Sequence, residues 1–197
     1  MYKQLYSEIA DALVENGYII LQNALQGNLS SKLLDSAKNE RDFKRAGISG
    51  AGDLHLDNDR RRDKIHWLDN KDEAQKEFLE FADGLREYLN RSLYLGLSYY
   101  ESHFAIYDKG DFYETHLDAF KSSKNRVVTT VYYLNDEWSD SDGGELIVYD
   151  EKSEKIATVI PRANTLVVFM SEKFPHEVLS ANRKRYSIAG WFRVDKI

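Results

Sequence analysis

The chain has no cysteine, and that absence removes disulfides, thiolate zinc sites, iron–sulfur clusters and cysteine nucleophiles together. Any bound metal must therefore sit on histidine or carboxylate. Proline occurs only twice in 197 residues, so no proline-rich linker divides the chain. No apolar run approaches the roughly 18–20 residues that a membrane span needs. The opening segment, MYKQLYSEIADALVENGYIIL, contains acidic residues and lacks the apolar centre of a signal peptide. The expectation is a soluble, cytoplasmic protein with no membrane partner. Positive charge is also short. Against 33 Asp and Glu stand 27 Lys and Arg, a net charge of −6, which disfavours nucleic acid as a partner.

What is present fits one globular domain spanning residues 1–197. Hydrophobic residues make up 42% and aromatic residues 13%, enough for a sizeable core. No repeat or low-complexity tract appears. Residues 1–95 read as mainly helical. Leu5, Ile9, Ala12 and Leu13 recur at helical spacing over 3–16, and Gly17 is placed to stop that helix. Tyr18–Gln22 reads as a short strand. Asn28 or Ser30 is placed to cap a second helix reaching about Arg45 and carrying Leu29, Leu33, Leu34, Ala37 and Phe43. A third helix is predicted over 72–94, with Phe78, Phe81, Ala82, Leu85, Tyr88 and Leu89 on one stripe. The intervening AGISGAGDLHLDNDRRR, residues 46–62, reads as a loop long enough to serve as a lid over a substrate. Arg60-Arg61-Arg62 reads as a solvated charge run, the alternative being a grip on an acidic substrate segment.

Residues 99–193 change period. Tyr99–Tyr107, Arg126–Leu134, Glu145–Tyr149, Lys155–Val159, Thr165–Phe169 and Tyr186–Arg193 are rich in β-branched and aromatic residues and separated by turn signals. No helix fits between them, which excludes parallel βαβ units. The fold class is α+β, with helices followed by an antiparallel double sheet or barrel.

Three features carry chemistry. In an extended segment, His116 and Asp118 project to one face. His176 follows a later predicted strand and can return beside them across a sheet. Two imidazoles and one carboxylate form a facial triad that leaves coordination positions open and suits non-haem Fe(II) activating O₂. Arg185 opens the last strand, RYSIAGWFR, where a guanidinium facing the sheet interior is costly unless it meets an anion. Its planar fork suits a carboxylate, with Arg183 and Lys184 as rivals for that role. A metal triad plus an anchored carboxylate is what a 2-oxoglutarate-dependent oxygenase requires.

These residues sit in motifs that resemble the 2-oxoglutarate/Fe(II) prolyl 4-hydroxylases, of the EGL-nine type that modifies hypoxia-inducible factor and its bacterial relatives. The matching pieces are Tyr107, YETHLD ending at Asp118, and VVTTVYYLNDEW from Val127 to Trp138. GGELIVY from Gly143, FPHEV from Phe174, RYSIAGWF from Arg185 and RDKIHWL from Arg62 complete the set. The resemblance implies a double-stranded β-helix of the jelly-roll or cupin kind, with the N-terminal helices packed on one sheet. It implies Fe(II) on His116, Asp118 and His176, and 2-oxoglutarate held by Arg185 with Tyr133. Tyr107, Thr129, Val131, Leu146, Val178 and Trp191 match pocket positions. Arg126, Asp63 and Arg61 match positions on the substrate side.

The implied reaction hydroxylates a prolyl residue of a protein or peptide, converting 2-oxoglutarate and O₂ to succinate and CO₂, with ascorbate as a further cofactor. Among bacterial relatives a translation elongation factor is the natural protein partner. Two alternatives remain beside it: the same chemistry on a free amino acid or small metabolite, and a non-enzymatic cupin-like metal sensor. His103 falls on the face of Tyr107. His55 and His66 read as non-ligands.

Overall fold

Alternation of apolar residues in the second half of the chain produces two facing antiparallel sheets, and the amphipathic helices of the first half close one of them. In the computed structural model, residues 2–50, 53–55, 57, 59–119 and 125–195 are described. The N-terminal part contains α1 (Lys3–Glu15), β1 (Tyr18–Leu21), α2 (Leu29–Asn39), β2 (Lys44–Arg45), β3 (Ile48–Gly50), β4 (Asp53–His55), β5 (Lys64–Trp67) and α3 (Glu73–Leu93). The remainder contains β6 (Tyr99–Tyr107), β7 (Tyr113–His116), β8 (Arg126–Tyr133), β9 (Leu146–Tyr149), β10 (Lys155–Val159), β11 (Leu166–Met170), β12 (His176–Val178) and β13 (Arg185–Arg193). A seven-stranded sheet runs β1-β11-β8-β13-β6-β5-β2, and a four-stranded sheet runs β10-β9-β12-β7. Among the described residues no helix is long and apolar enough to cross a membrane.

The large sheet is two-faced because its strands alternate. On β8, Val128 and Tyr132 join Ile188 and Phe192 of β13 against the helices, while Val131 and Tyr133 face the small sheet with Leu146, Val148 and Val178. The longest helix, α3, begins where the Asp72 carboxylate accepts the Gln75 N–H at 2.8 Å. It lays Phe78, Phe81, Ala82, Leu85 and Leu89 onto the sheet. Opposite α3, Gly190 has no side chain, and a Cβ there would fall 2.1 Å from the Tyr100 hydroxyl. A second tight junction joins the two halves of the chain. Gly17, at φ +79°, ends α1 in a left-handed turn, and a Cβ on it would lie 2.9 Å from the ring of Phe174.

Two expectations for the N-terminal half need correction. The second helix ends at Asn39 rather than near Arg45. Glu40 is extended there, and its carboxylate accepts the N–H groups of Arg41 and Asp42 at 2.9 and 3.2 Å. Lys44 and Arg45 then pair with β5, so Phe43 reaches the core from an extended segment. Asn28 stands at the N-cap without a side-chain bond. The segment 46–62 is not all loop: Ile48–Gly50 and Asp53–His55 pair as an antiparallel ribbon, and Arg61 bridges to Tyr113. Its residues 51, 52, 56 and 58 lie outside the described residues.

Leu85 is fully buried between α3 and the large sheet, whereas Val14 is 69% exposed. Leu85→Ala is expected to lower the unfolding free energy by about 2–5 kcal/mol, and Val14→Ala to leave it within about 0.5 kcal/mol. Urea titration followed by circular dichroism measures both.

Candidate active site

Strand register brings the three predicted metal ligands together. In the small sheet β12 pairs with β7 so that His176 stands opposite His116. The chain leaves β7 at His116 and brings the buried Asp118 between them. The ligand atoms of His116, Asp118 and His176 all lie within 4.8 Å of one another. Nε2 of His116 is 3.8 Å from Asp118 Oδ1, and Nε2 of His176 is 3.6 Å from Oδ2.

The other ring nitrogens set the tautomers. Nδ1 of His116 lies 2.7 Å from the Glu114 carbonyl and Nδ1 of His176 3.0 Å from that of Phe174. A carbonyl only accepts, so each Nδ1 donates, and each Nε2 turns a lone pair toward Asp118. Burial, reinforced by His176, pushes the His116 imidazole down to about 3, so it is uncharged at pH 7. Burial raises the Asp118 carboxyl, but His176 and His116 overcome this and hold it below its ordinary range. Asp118 is further fixed by the Thr129 hydroxyl, which donates at 2.8 Å and itself lies 2.8 Å from Ser171 Oγ. The Tyr113 ring stacks on His116 with centroids 3.6 Å apart, and Phe169 meets His176 edge-on. Two converging imidazole lone pairs and an ionised carboxylate, in a rigid and buried setting, suit a divalent metal with open positions.

The second half of the site is a buried positive charge. Arg185 is 1% exposed and reaches between the rings of Tyr107 and Tyr133, its guanidinium carbon 4.9 Å from each centroid. Nε donates to the Gly144 carbonyl at 2.9 Å and one terminal nitrogen to Ser187 Oγ at 3.3 Å. Neither partner is anionic. Gly144 permits this approach: it has φ +72°, and a Cβ there would lie 2.9 Å from the Ala181 Cβ and 3.2 Å from the Arg185 Cδ. The rivals are engaged elsewhere, Arg183 beside Asp142 at 3.7 Å and Lys184 beside Asp108 at 3.2 Å. The Tyr133 hydroxyl is buried beside that guanidinium with no well-aligned hydrogen bond among the described residues; burial raises the phenol and the neighbouring Arg185 opposes the rise. A buried guanidinium and a leftover hydroxyl side by side constitute unmet demand for an anion.

One cavity of about 610 Å³ between the sheets joins both halves. Every predicted site residue lines it except Tyr133, whose ring packs beside the Arg185 guanidinium. Val131, Leu146 and Val178 are apolar wall. Thr129 holds Asp118. Trp191 carries the guanidinium of Arg126 over its ring at 3.8 Å, and Arg126 also reaches Glu101 at 3.4 Å.

The charge-run expectation for residues 60–62 fails at Arg61. Asp63 is fully buried by the fold of β5, and Arg61 turns inward to pair with it through two bonds of 2.6 and 2.9 Å. Arg61 also covers Tyr113 and donates to the Gly47 carbonyl. Arg60 remains outside with Glu114. His66 lies beside Glu40 at 3.2 Å, away from the metal cluster. The side chain of His55 lies outside the described residues.

Sequence reasoning missed Ser187, Tyr113 and Trp67 as cavity residues. Ser187 was accessible, since the two-residue period of β13 puts it on the face of Arg185. Tyr113 carries no such signal, because its stacking depends on where β7 and β12 meet.

Residues 102–193 match the family described as the 2OG-Fe(II) oxygenase superfamily. The chain is 34% identical to a Pseudomonas putida prolyl-4-hydroxylase of known crystal structure, with a TM-score of 0.88 over 97% of this chain and 100% of that one. A prolyl hydroxylase from Trichoplax adhaerens, solved with a hypoxia-inducible factor oxygen degradation domain peptide, is 26% identical with a TM-score of 0.84, covering 96% of this chain and 89% of that one. The hypoxia-inducible factor prolyl hydroxylase of Caenorhabditis elegans is 28% identical over 208 residues, aligning with 96% of this chain and 28% of that protein. The chain thus spans about a third or less of the length of the curated relatives it matches. The two facing sheets are the double-stranded β-helix of this group.

Asp118→Ala is expected to abolish tight binding of Mn(II), used as a redox-silent probe. Thr129→Val, which removes the hydroxyl that bonds Asp118 and Ser171, is expected to weaken it roughly 10–100-fold. Calorimetric titration checks both, with circular dichroism reporting the fold.

Proposed function

The chain belongs to the 2OG-Fe(II) oxygenase superfamily, and we propose that it is a prolyl hydroxylase acting on a protein or peptide. In the balanced reaction, 2-oxoglutarate, O₂ and a prolyl C–H become succinate, CO₂ and a prolyl C–OH. The observation that carries the oxygenase chemistry is the buried Arg185, with no anionic partner among the described residues, in the same cavity as the His116-Asp118-His176 cluster. Residues 1–197 are taken as one oxygenase domain, the N-terminal helices bracing the sheet that carries the site.

Fe(II) bound by His116, Asp118 and His176 supplies the redox chemistry with O₂. Everything else falls to the chain. Arg185 and Tyr133 bind the far carboxylate of 2-oxoglutarate, and Ser187 with the Gly144 carbonyl keeps the guanidinium aimed. Tyr107 packs on the other side of that guanidinium. Fixing one end of the co-substrate sets the position of its 2-oxo acid end, an orientation effect. Val131, Leu146 and Val178 exclude water around its methylene groups. Thr129 holds Asp118 in place. Trp191 and Arg126 stand toward the substrate. Arg61 and Asp63 neutralise each other, so they frame the cavity and leave no net charge to grip an acidic segment.

The peptide bound by the Trichoplax adhaerens relative supports a polypeptide substrate. A translation elongation factor is the candidate protein. A metal sensor without co-substrate leaves the buried charge of Arg185 without a purpose, which disfavours that alternative.

Incubation with Fe(II), 2-oxoglutarate and candidate proteins, the elongation factor among them, is expected to add one oxygen atom to a proline, located by tandem mass spectrometry. Succinate formation with no modified prolyl overturns the substrate and leaves the oxygenase. Arg185→Ala is expected to weaken 2-oxoglutarate binding roughly 100-fold while Mn(II) affinity changes by less than about threefold. Unchanged 2-oxoglutarate affinity overturns the anchor.

A further inference from the structure

One buried histidine in the cavity has no part in the reaction outlined above. His103 lies on β6, two residues before Ala105 and four before Tyr107, on the face turned to the small sheet. It is 2% exposed and lines the cavity. Its ring sits between two indoles, perpendicular to Trp67 with centroids 5.1 Å apart and 5.4 Å from Trp191. Trp67 is 48% exposed at the rim, and Trp191 is buried under Arg126. Trp67, His103 and Trp191 thus form a continuous aromatic wall running inward from solvent.

The tautomer of His103 follows from its neighbours. Nδ1 lies 3.2 Å from the Phe104 carbonyl, which only accepts, so Nδ1 carries the hydrogen. Nε2 therefore offers a lone pair, and no partner for it is recorded among the described residues. Burial, with Arg61 adding to it, pushes the imidazole down to about 4, so it stays uncharged at pH 7. The wall consequently presents one neutral acceptor among aromatic carbons. Desolvating a cationic donor against an aromatic wall is costly, which leaves neutral N–H groups as the matching chemistry. Proline has no main-chain N–H, so the donor must come from another residue of the polypeptide. A segment that crosses an aromatic wall buries its main-chain N–H, and leaving that group unpaired is costly.

We propose that His103 positions the substrate, with Nε2 accepting a main-chain N–H from a residue flanking the target proline as the segment lies against Trp67 and Trp191. This rests on the reading of the substrate as a polypeptide.

The test uses a blocked heptapeptide centred on the modified proline, and analogues N-methylated at one amide at a time. In the wild-type protein, methylation at one flanking position is expected to raise KM about five- to tenfold, the effect of one hydrogen bond, with little change in kcat. His103→Leu is expected to raise KM of the parent peptide by the same factor and to be insensitive to that methylation. His103→Gln, which keeps an acceptor, is expected to stay within about threefold of wild type. Affinities for Mn(II) and 2-oxoglutarate report whether each variant is intact. A wild-type KM in His103→Leu overturns the proposal, as does a methylation scan with no sensitive flanking position. Both leave the hydroxylase reading standing. If Mn(II) and 2-oxoglutarate bind but no polypeptide is hydroxylated, the reading and the proposal fall together.

Discussion

A guanidinium held away from water, with no carboxylate among the described residues to meet it, is the constraint around which this molecule is arranged. Desolvating such a charge is expensive, and the fold devotes several elements to tolerating it. Arg185 opens β13, which pairs along all nine residues with β6 and from Ser187 onward with β8, so its backbone is held. Tyr107 and Tyr133 flank the guanidinium, and Gly144 lets a main-chain carbonyl come close enough to accept from it. The partial solvation supplied by carbonyl, hydroxyl and ring faces stabilises the charge without neutralising it. What remains is an electrostatic demand shaped for a small dicarboxylate.

The metal cluster is built by a different device. Its three ligands come from two short strands of the small sheet and the turn after one of them, elements that would be weak in isolation. They gain rigidity from main-chain carbonyls that fix each imidazole through Nδ1, and from Thr129 of the large sheet, which reaches across to Asp118. The two sheets are therefore joined at the point where their relative position matters most for chemistry.

Much of this was legible in the sequence, and the parts that were not have identifiable physical causes. The boundaries of β6 and β10 follow from β-branched and aromatic runs bounded by turn signals, and α3 follows from its apolar stripe. The H-x-D pair, His176 and Arg185 stand out because their chemistry is improbable in a sheet interior without a ligand. Strands β7 and β12 did not stand out. They have four and three residues, and their polar side chains face the cavity, so hydrophobic period has nothing to report. The over-long second helix failed because a local competitor, the Glu40 carboxylate, takes the next two N–H groups. Arg61 was misread because a run of three arginines does not disclose that one neighbour, Asp63, is buried and requires a counter-ion. For β7, β12 and Arg61 the missing information was a tertiary partner, and for the second helix it was a local one.

The junction at Gly17 bears on how this architecture can be altered. Phe174 packs into the space left by the absent side chain of Gly17 and meets Tyr18 edge-on with centroids 5.4 Å apart. The carbonyl of the same Phe174 holds His176 in its tautomer. The turn that ends the first helix is thus two residues from a metal ligand through a single aromatic ring. A recombination of modules that joined this catalytic half to a foreign helical half would have to rebuild that contact. Boundaries for grafting or fusion therefore belong at surface turns such as Asp150–Ser153, remote from the cavity, and not at the seam between helices and sheet.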